Sequence, residues 1–312
     1  MTFSHLSPVR IVRSALLAFA LGACAPERPA PGPDLVVATI FPVADLAARV
    51  GGDAVRVETL LPSRASIHTW EATPAQIRSL GRARAYITVG GGLDGWLEGM
   101  GTDAPGLRTL RLTDGMALLR AEEGHDHDHG ADPGSEGETT GDPHVWLDPL
   151  LVRDEFVPRI RDLLVELQPA QEAAIRARAG ALADSLTALD GEIRAILSGR
   201  TLDGFIATHD AWAYFAERYG LVPLGNLYAS PGHEPSARGL AVLVEAARAA
   251  GLPAVLSEPQ LSETAAAALA AELGVAVVSV DPMGGPDVED RRSYFDLMRF
   301  NARAFARALG AP

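Results

Sequence analysis

The sequence predicts an α/β fold: two parallel-sheet lobes joined by a long rigid helix. Three observations carry this. Continuous apolar runs of strand length alternate with helical segments in both halves of the chain, the pattern of parallel sheets covered by helices. Between the halves, residues 169–197 place Ile175, Leu182, Leu186, Leu189, Ile193 and Ile196 at mostly helical spacing. A helix of nearly thirty residues spans about 40 Å, more than one small lobe needs. Finally, 312 residues suffice for two lobes that each bury a core.

The first lobe is expected at 34–167. Its opening strand, 35–40, reads LVVATI, apolar enough to be buried on both faces. A helix at 43–50 follows and is ended by Gly51 and Gly52. Next come a strand at 55–61, a helix at 73–80 opened by Thr73-Pro74, a strand at 85–89 and a short helix around Trp96. The stretch 121–141 is acidic, Gly-rich and without periodicity, which predicts a surface loop. A helix at 150–167 closes the lobe, and the connecting helix takes 168–198. In the second lobe, 199–312, the alternation resumes. It has strands at 205–208, 254–257 and 275–280, and helices at 211–219, 236–250, 262–273 and 293–309. No internal repeat is evident.

The N-terminus reads as an export signal over residues 1–24. Arg10 and Arg13 precede an apolar stretch at 15–21 that is too short to span a membrane stably. Leu21-Gly22-Ala23-Cys24 matches a lipobox, so a lipid anchor at Cys24 is expected; an ordinary cleaved signal peptide is the alternative. A Pro-rich tether follows at 25–33. Because Cys24 is the only cysteine, neither an intrachain disulfide nor a thiolate metal cluster can form. The net charge of −13 argues against nucleic acid as a partner and is compatible with small cations. All 27 basic residues are arginine, a composition bias from which no function follows.

In open α/β sheets, ligands bind outside the carboxyl ends of the strands. His68 follows the second strand, His209 follows the strand at 205–208, and Asp281 follows the strand at 275–280. His144 lies in a short apolar stretch between two Asp-Pro pairs. A lone histidine at a strand end is more often a hydrogen-bonded structural residue. Together, however, three imidazoles and a carboxylate, two from each half, make a complete tetrahedral set for zinc. A site filled by protein leaves no position for an activated water, which favours holding a metal over using it.

Four motifs resemble the zinc/manganese-type solute-binding proteins of bacterial ABC importers. They are Pro62-Ser-Arg-Ala-Ser-Ile-His68-Thr-Trp-Glu-Ala-Thr-Pro74, Asp142-Pro-His144-Val-Trp-Leu-Asp-Pro149, Thr208-His209-Asp210-Ala-Trp-Ala-Tyr-Phe215, and Ser257-Glu-Pro-Gln260 through Asp281-Pro-Met-Gly284. The resemblance covers essentially the whole chain after Cys24. It implies one metal ion in the cleft between the lobes, held by His68, His144, His209 and Asp281. It also implies an extracytoplasmic monomer that delivers zinc to a membrane permease. Manganese-type members tend to carry a carboxylate at the position of His209; histidine there favours zinc, although Mn2+ and Fe2+ stay open. The closing motif has Met283 where leucine is more usual.

His125, His127 and His129 alternate with aspartates in the acidic loop, where no scaffold fixes them. Weak, exchangeable zinc capture is the preferred reading, which the resemblance supports; an inert solvated loop is the other. A zinc hydrolase is the enzymatic alternative, with Glu71 or Glu258 as general base, and a metal-dependent adhesin is a third class. No His-Glu-x-x-His or Gly-x-Ser-x-Gly motif occurs. Each glutamate has two further readings, orienting a ligand histidine or serving the next helix, and for Glu258 the second is preferred. Gly90 to Gly95 satisfies G-x-G-x-x-G with Asp114 beyond it, but a Gly-rich strand-to-helix turn is preferred to a dinucleotide site. His233 is expected to be a loop residue rather than a ligand. Trp70, Trp146, Trp212 and Tyr214 are expected to pack the core beside the ligands.

Overall fold

The fold is built on parallel pairing in both halves. A computed structural model describes residues 1–2, 33–95, 106–120, 141–228 and 236–311, and from Pro33 onward the chain forms one compact unit. The first sheet has the order β2-β1-β3-β4, every neighbour parallel. Its strands are β1 (Asp34–Ala38), β2 (Val55–Thr59), β3 (Ala85–Thr88) and β4 (Arg108–Arg111). The helices α1 (Phe41–Gly51) and α2 (Pro74–Leu80) connect them. Thr73 caps α2 through a reciprocal capping box with Gln76, so this helix start is fixed by local sequence.

After the acidic loop, α3 (Pro149–Leu151) runs through a π-helical turn (Val152–Phe156) into α4 (Val157–Leu167). The sequence suggests one regular helix here. Pro158 explains the departure: it cannot donate a backbone hydrogen bond, and a widened turn just before it relieves the ring's clash.

The connecting helix α5 (Glu172–Leu197) follows a 3-10 turn at Pro169–Gln171. Its buried residues Ile175, Ala179, Leu182, Leu186, Leu189, Ile193 and Leu197 step by three or four along one face. That face packs on α1 and α4 of the first half and on α9 (Tyr294–Ala308), the final helix. The largest cluster of buried apolar side chains therefore runs through both halves, from Val36 and Trp146 across Leu186 to Trp212 and Phe305. One shared core holds the lobes in register.

In the second half, β5 (Gly204–Ala207) pairs with β6 (Val222–Asn226), and β7 (Ala254–Ser257) with β8 (Ala276–Ser279), all parallel. β5 lies beside β7, and α6 (Ala213–Tyr219), α7 (Ala237–Ala250) and α8 (Glu263–Leu273) cover these strands. Serine side chains at 236, 262 and 293 cap α7, α8 and α9, while left-handed glycines at 220, 251 and 274 end α6, α7 and α8.

The glycine-rich turn after β3 is a backbone device. Gly90, Gly91 and Gly92 all have positive φ, and a Cβ on Gly90 would come within 2.6 Å of Thr113 Oγ1. The buried Asp94 carboxylate accepts from Val89 N (2.9 Å), Gly90 N (3.1 Å) and Thr39 Oγ1 (2.9 Å). A carboxylate thus occupies the amides that a dinucleotide's phosphates would need. Burial pushes this carboxyl above the usual carboxylate range.

The expected export segment with Cys24, the tether, the helix around Trp96, His125, His127, His129 and His233 lie outside the described residues. Among the described residues, no helix is long and apolar enough to cross a membrane.

Candidate metal site

Three histidines converge at the junction of the lobes. His68 comes from the loop after β2, His144 from the segment before α3, and His209 from just beyond β5. Their ring centroids form a near-equilateral triangle with sides of 6.0, 5.5 and 5.5 Å. One ring nitrogen from each lies within 4.8 Å of the others. A tetrahedral zinc held at about 2.0–2.1 Å would set such nitrogens about 3.4 Å apart, so a contraction of at most about 1.4 Å closes the set.

Two of the rings are oriented by buried carboxylates. Asp142 Oδ1 accepts from the His144 backbone amide (2.9 Å) and lies 2.7 Å from His144 Nδ1. A carboxylate only accepts, so Nδ1 carries the proton and Nε2 presents its lone pair. Glu258, fully buried, places Oε2 2.8 Å from His209 Nδ1. Its Oε1 accepts from Thr208 Oγ1 (2.9 Å) and Trp212 Nε1 (3.3 Å). β5 and β7, neighbouring members of two separate parallel pairs, run into His209 and Glu258, which brings the two side chains together. A carboxylate behind the metal-binding imidazole is the usual outer partner of a ligand histidine.

The preferred sequence reading of Glu258, as a residue serving the next helix, is therefore corrected: Ser262 caps α8 and Glu258 backs His209. Glu71 is exposed, and α2 is capped by Thr73.

Burial alone would push the His209 imidazole toward neutrality, but the Glu258 carboxylate overrides it and the net direction is upward. The same imidazole outweighs burial at Glu258 and holds that carboxyl below its usual range. Asp142 and Glu258 together place two carboxylates behind the triad, the charge that a divalent ion would balance.

A cavity of about 20 Å³ lies among these residues, lined also by Ser66, Trp146, Gln260 and Met283. That is room for about one ion or one water. The aromatic neighbours pack the core as expected and carry polar links as well. Trp146 Nε1 donates to the Pro282 carbonyl (2.7 Å), Trp212 to Glu258, and Tyr214 Oη to the Asp142 carbonyl (3.0 Å). Ser63, in the loop that leads to His68, donates to Asp287 of the second half, and a Cβ on Gly285 would collide with Ser63.

Asp281 is not brought into the triad. It lies two residues beyond β8, buried, with Oδ1 accepting from Gln260 Nε2 (2.8 Å), Met283 N (2.9 Å) and Gly284 N (3.0 Å). Its Oδ2 faces Arg291 Nη1 at 3.1 Å. Turns between β8 and α9 supply Met283, Gly284 and Arg291, and the segment after β7 supplies Gln260, none of which strand-end position reveals.

Fold and site define a class: a two-lobed α/β protein whose lobe junction carries a three-histidine cluster suited to one metal ion. Residues 36–308 match the family model of the periplasmic zinc-uptake complex component A, ZnuA, and the chain belongs to that family. It is 29% identical over 306 residues to the zinc-binding lipoprotein AdcA of Streptococcus pneumoniae, covering 96% of this chain and 60% of that protein. It is 27% identical over 278 residues to the high-affinity zinc uptake system protein ZnuA of Yersinia pestis, covering 84% of this chain and 87% of that one. A crystal structure of ZnuA superposes with a TM-score of 0.79 at 29% identity, covering 89% of this chain and 100% of that chain. The chain thus spans only 60% of the length of the AdcA relative.

Proposed function

We propose that this protein captures a zinc ion outside the cytoplasm with His68, His144 and His209 and hands it to the permease of an ABC-type importer. The observation that carries the reading is the histidine triad itself, with buried carboxylates behind two of its rings. Three nitrogen donors suit zinc better than the harder Mn2+, while Fe2+ is a weaker competitor in the usual affinity order. The family names and relatives support zinc as the cargo and a transport complex as the partner.

A hydrolase is disfavoured by the same geometry. The cavity has room for about one ion or water, and Glu258, the buried candidate base, is engaged by His209, Thr208 and Trp212. The proposal includes the sequence-based extents: a signal at 1–24 with lipidation at Cys24, a tether at 25–33, lobes at 34–167 and 199–312, and the linking helix at 168–198. It also includes a monomeric state and weak auxiliary capture by His125, His127 and His129.

Metal analysis and thermal unfolding test this reading. Protein purified without chelator should carry one zinc per chain. An ion bound only by the native state, at about 1,000 times its Kd, adds about 4 kcal/mol and should raise Tm by roughly 10 °C. A chelator should reverse the shift. An unchanged Tm with zinc would contradict the proposal.

A further inference from the structure

Building on the zinc site proposed above, we infer that Gln260, rather than Asp281, closes the fourth coordination position, its amide oxygen meeting the ion or the water bound on it. Gln260 lies three residues beyond β7 and lines the same cavity as His68, His144 and His209. Its Nε2 donates to Asp281 Oδ1 at 2.8 Å. Because a carboxylate only accepts, this contact fixes which end of the amide faces Asp281. The amide oxygen is therefore the free end, and it is buried with no hydrogen-bond donor among the described residues.

A buried carbonyl oxygen without a donor is rare in folded proteins and calls for a ligand. A cation in the cavity that Gln260 lines supplies what the protein withholds. Asp281 has the opposite character. A carboxylate has about four acceptor sites, and Asp281 receives Gln260, Met283, Gly284 and Arg291. Its backbone is held as well, since Asp281 N donates to Asn301 Oδ1 and Asn301 Nδ2 donates back to the Asp281 carbonyl. A carboxylate already paired with arginine on Oδ2 and holding three donors on Oδ1 is a poor competitor for a metal. Asp281 is thereby a positioning residue, which turns the amide of Gln260 so that its oxygen is presented. The site then offers three nitrogens and one neutral oxygen, a set that discriminates against harder ions, which prefer carboxylate ligands.

The test compares the unaltered chain with Gln260→Leu and Asp281→Asn. Zinc affinity is measured by chelator competition, and the ligand field is read from the visible spectrum of the Co2+ form. Gln260→Leu should weaken zinc binding by about tenfold or more and change the Co2+ spectrum. Asp281→Asn keeps an acceptor for the glutamine amide, so it should weaken binding less and leave the spectrum intact. A larger loss and an altered spectrum in Asp281→Asn alone would overturn the inference. A crystal structure of the unaltered chain with zinc decides independently of how the variants fold. Gln260 Oε1 on the ion or on its bound water supports the assignment; Asp281 on the ion, or a fourth ligand touching neither the oxygen nor its water, overturns it. Failure of the unaltered chain to bind zinc would instead strike the three-histidine site itself.

Discussion

His209→Ala is expected to reduce zinc affinity by more than about 100-fold, beyond the 10–100-fold typical of losing an outer partner. The residue supplies one of three converging nitrogens, and the two that remain come from the first half of the chain. Its loss thus removes the triad's only nitrogen from the second half. The substitution also strips Glu258 of its charged neighbour, leaving Thr208 and Trp212 as donors to a fully buried carboxylate. Breaking a buried pair in this way commonly destabilises by about 3–5 kcal/mol, less where the carboxylate protonates instead. Competition titration of zinc, with apo-protein unfolding measured alongside, separates the two effects. Near-native affinity in His209→Ala would mean that the triad is not the site.

The second large effect is expected from Glu258→Gln, which keeps the shape but removes the charge and turns one of the two acceptor oxygens into a donor. Zinc affinity near neutral pH should fall by about 10–100-fold. The pH profile gives the sharper readout. A protonated imidazole has no lone pair for a metal, so zinc binding expels a proton. In the native protein burial lowers the His209 pKa, but the Glu258 carboxylate outweighs it and holds the imidazole above the ordinary histidine range. Binding is therefore full above that raised pKa and is lost as pH falls through it. Without the Glu258 charge, burial dominates and the His209 pKa drops. Proton competition in Glu258→Gln should accordingly set in at lower pH than in the native protein. An unshifted profile would show that Glu258 does not govern His209.

Much of this was legible in the sequence, for physical reasons. Apolar runs such as 35–40 and the cap residues Thr73, Ser236, Ser262 and Ser293 are local signals, and they place their elements to within a few residues. Strand ends are where ligands gather in such sheets, which is how His209 stood out as a candidate. The edge strands β4 and β6 were not legible. β4 reads RTLR and is mostly exposed, while β6 contains Pro223 and Gly225, both poor strand formers tolerated at a sheet edge. The role of Glu258 depends on β5 lying beside β7, a tertiary adjacency no local pattern encodes. Gln260 gave no signal at all, because an uncharged amide becomes notable only when its oxygen is found buried without a donor.

The acidic loop separates the fixed site from any auxiliary one. Arg120 and Gly141 form an isolated antiparallel bridge, so the loop's two ends lie side by side and a short turn can replace residues 121–140. The most direct measurement is a chelator-competition zinc titration of the full chain and of this shortened form. Both should show one sub-micromolar site per chain, with only weak extra binding, if any, disappearing along with His125, His127 and His129. Loss of the tight site on removing the loop, with His68, His144 and His209 intact, would contradict the account.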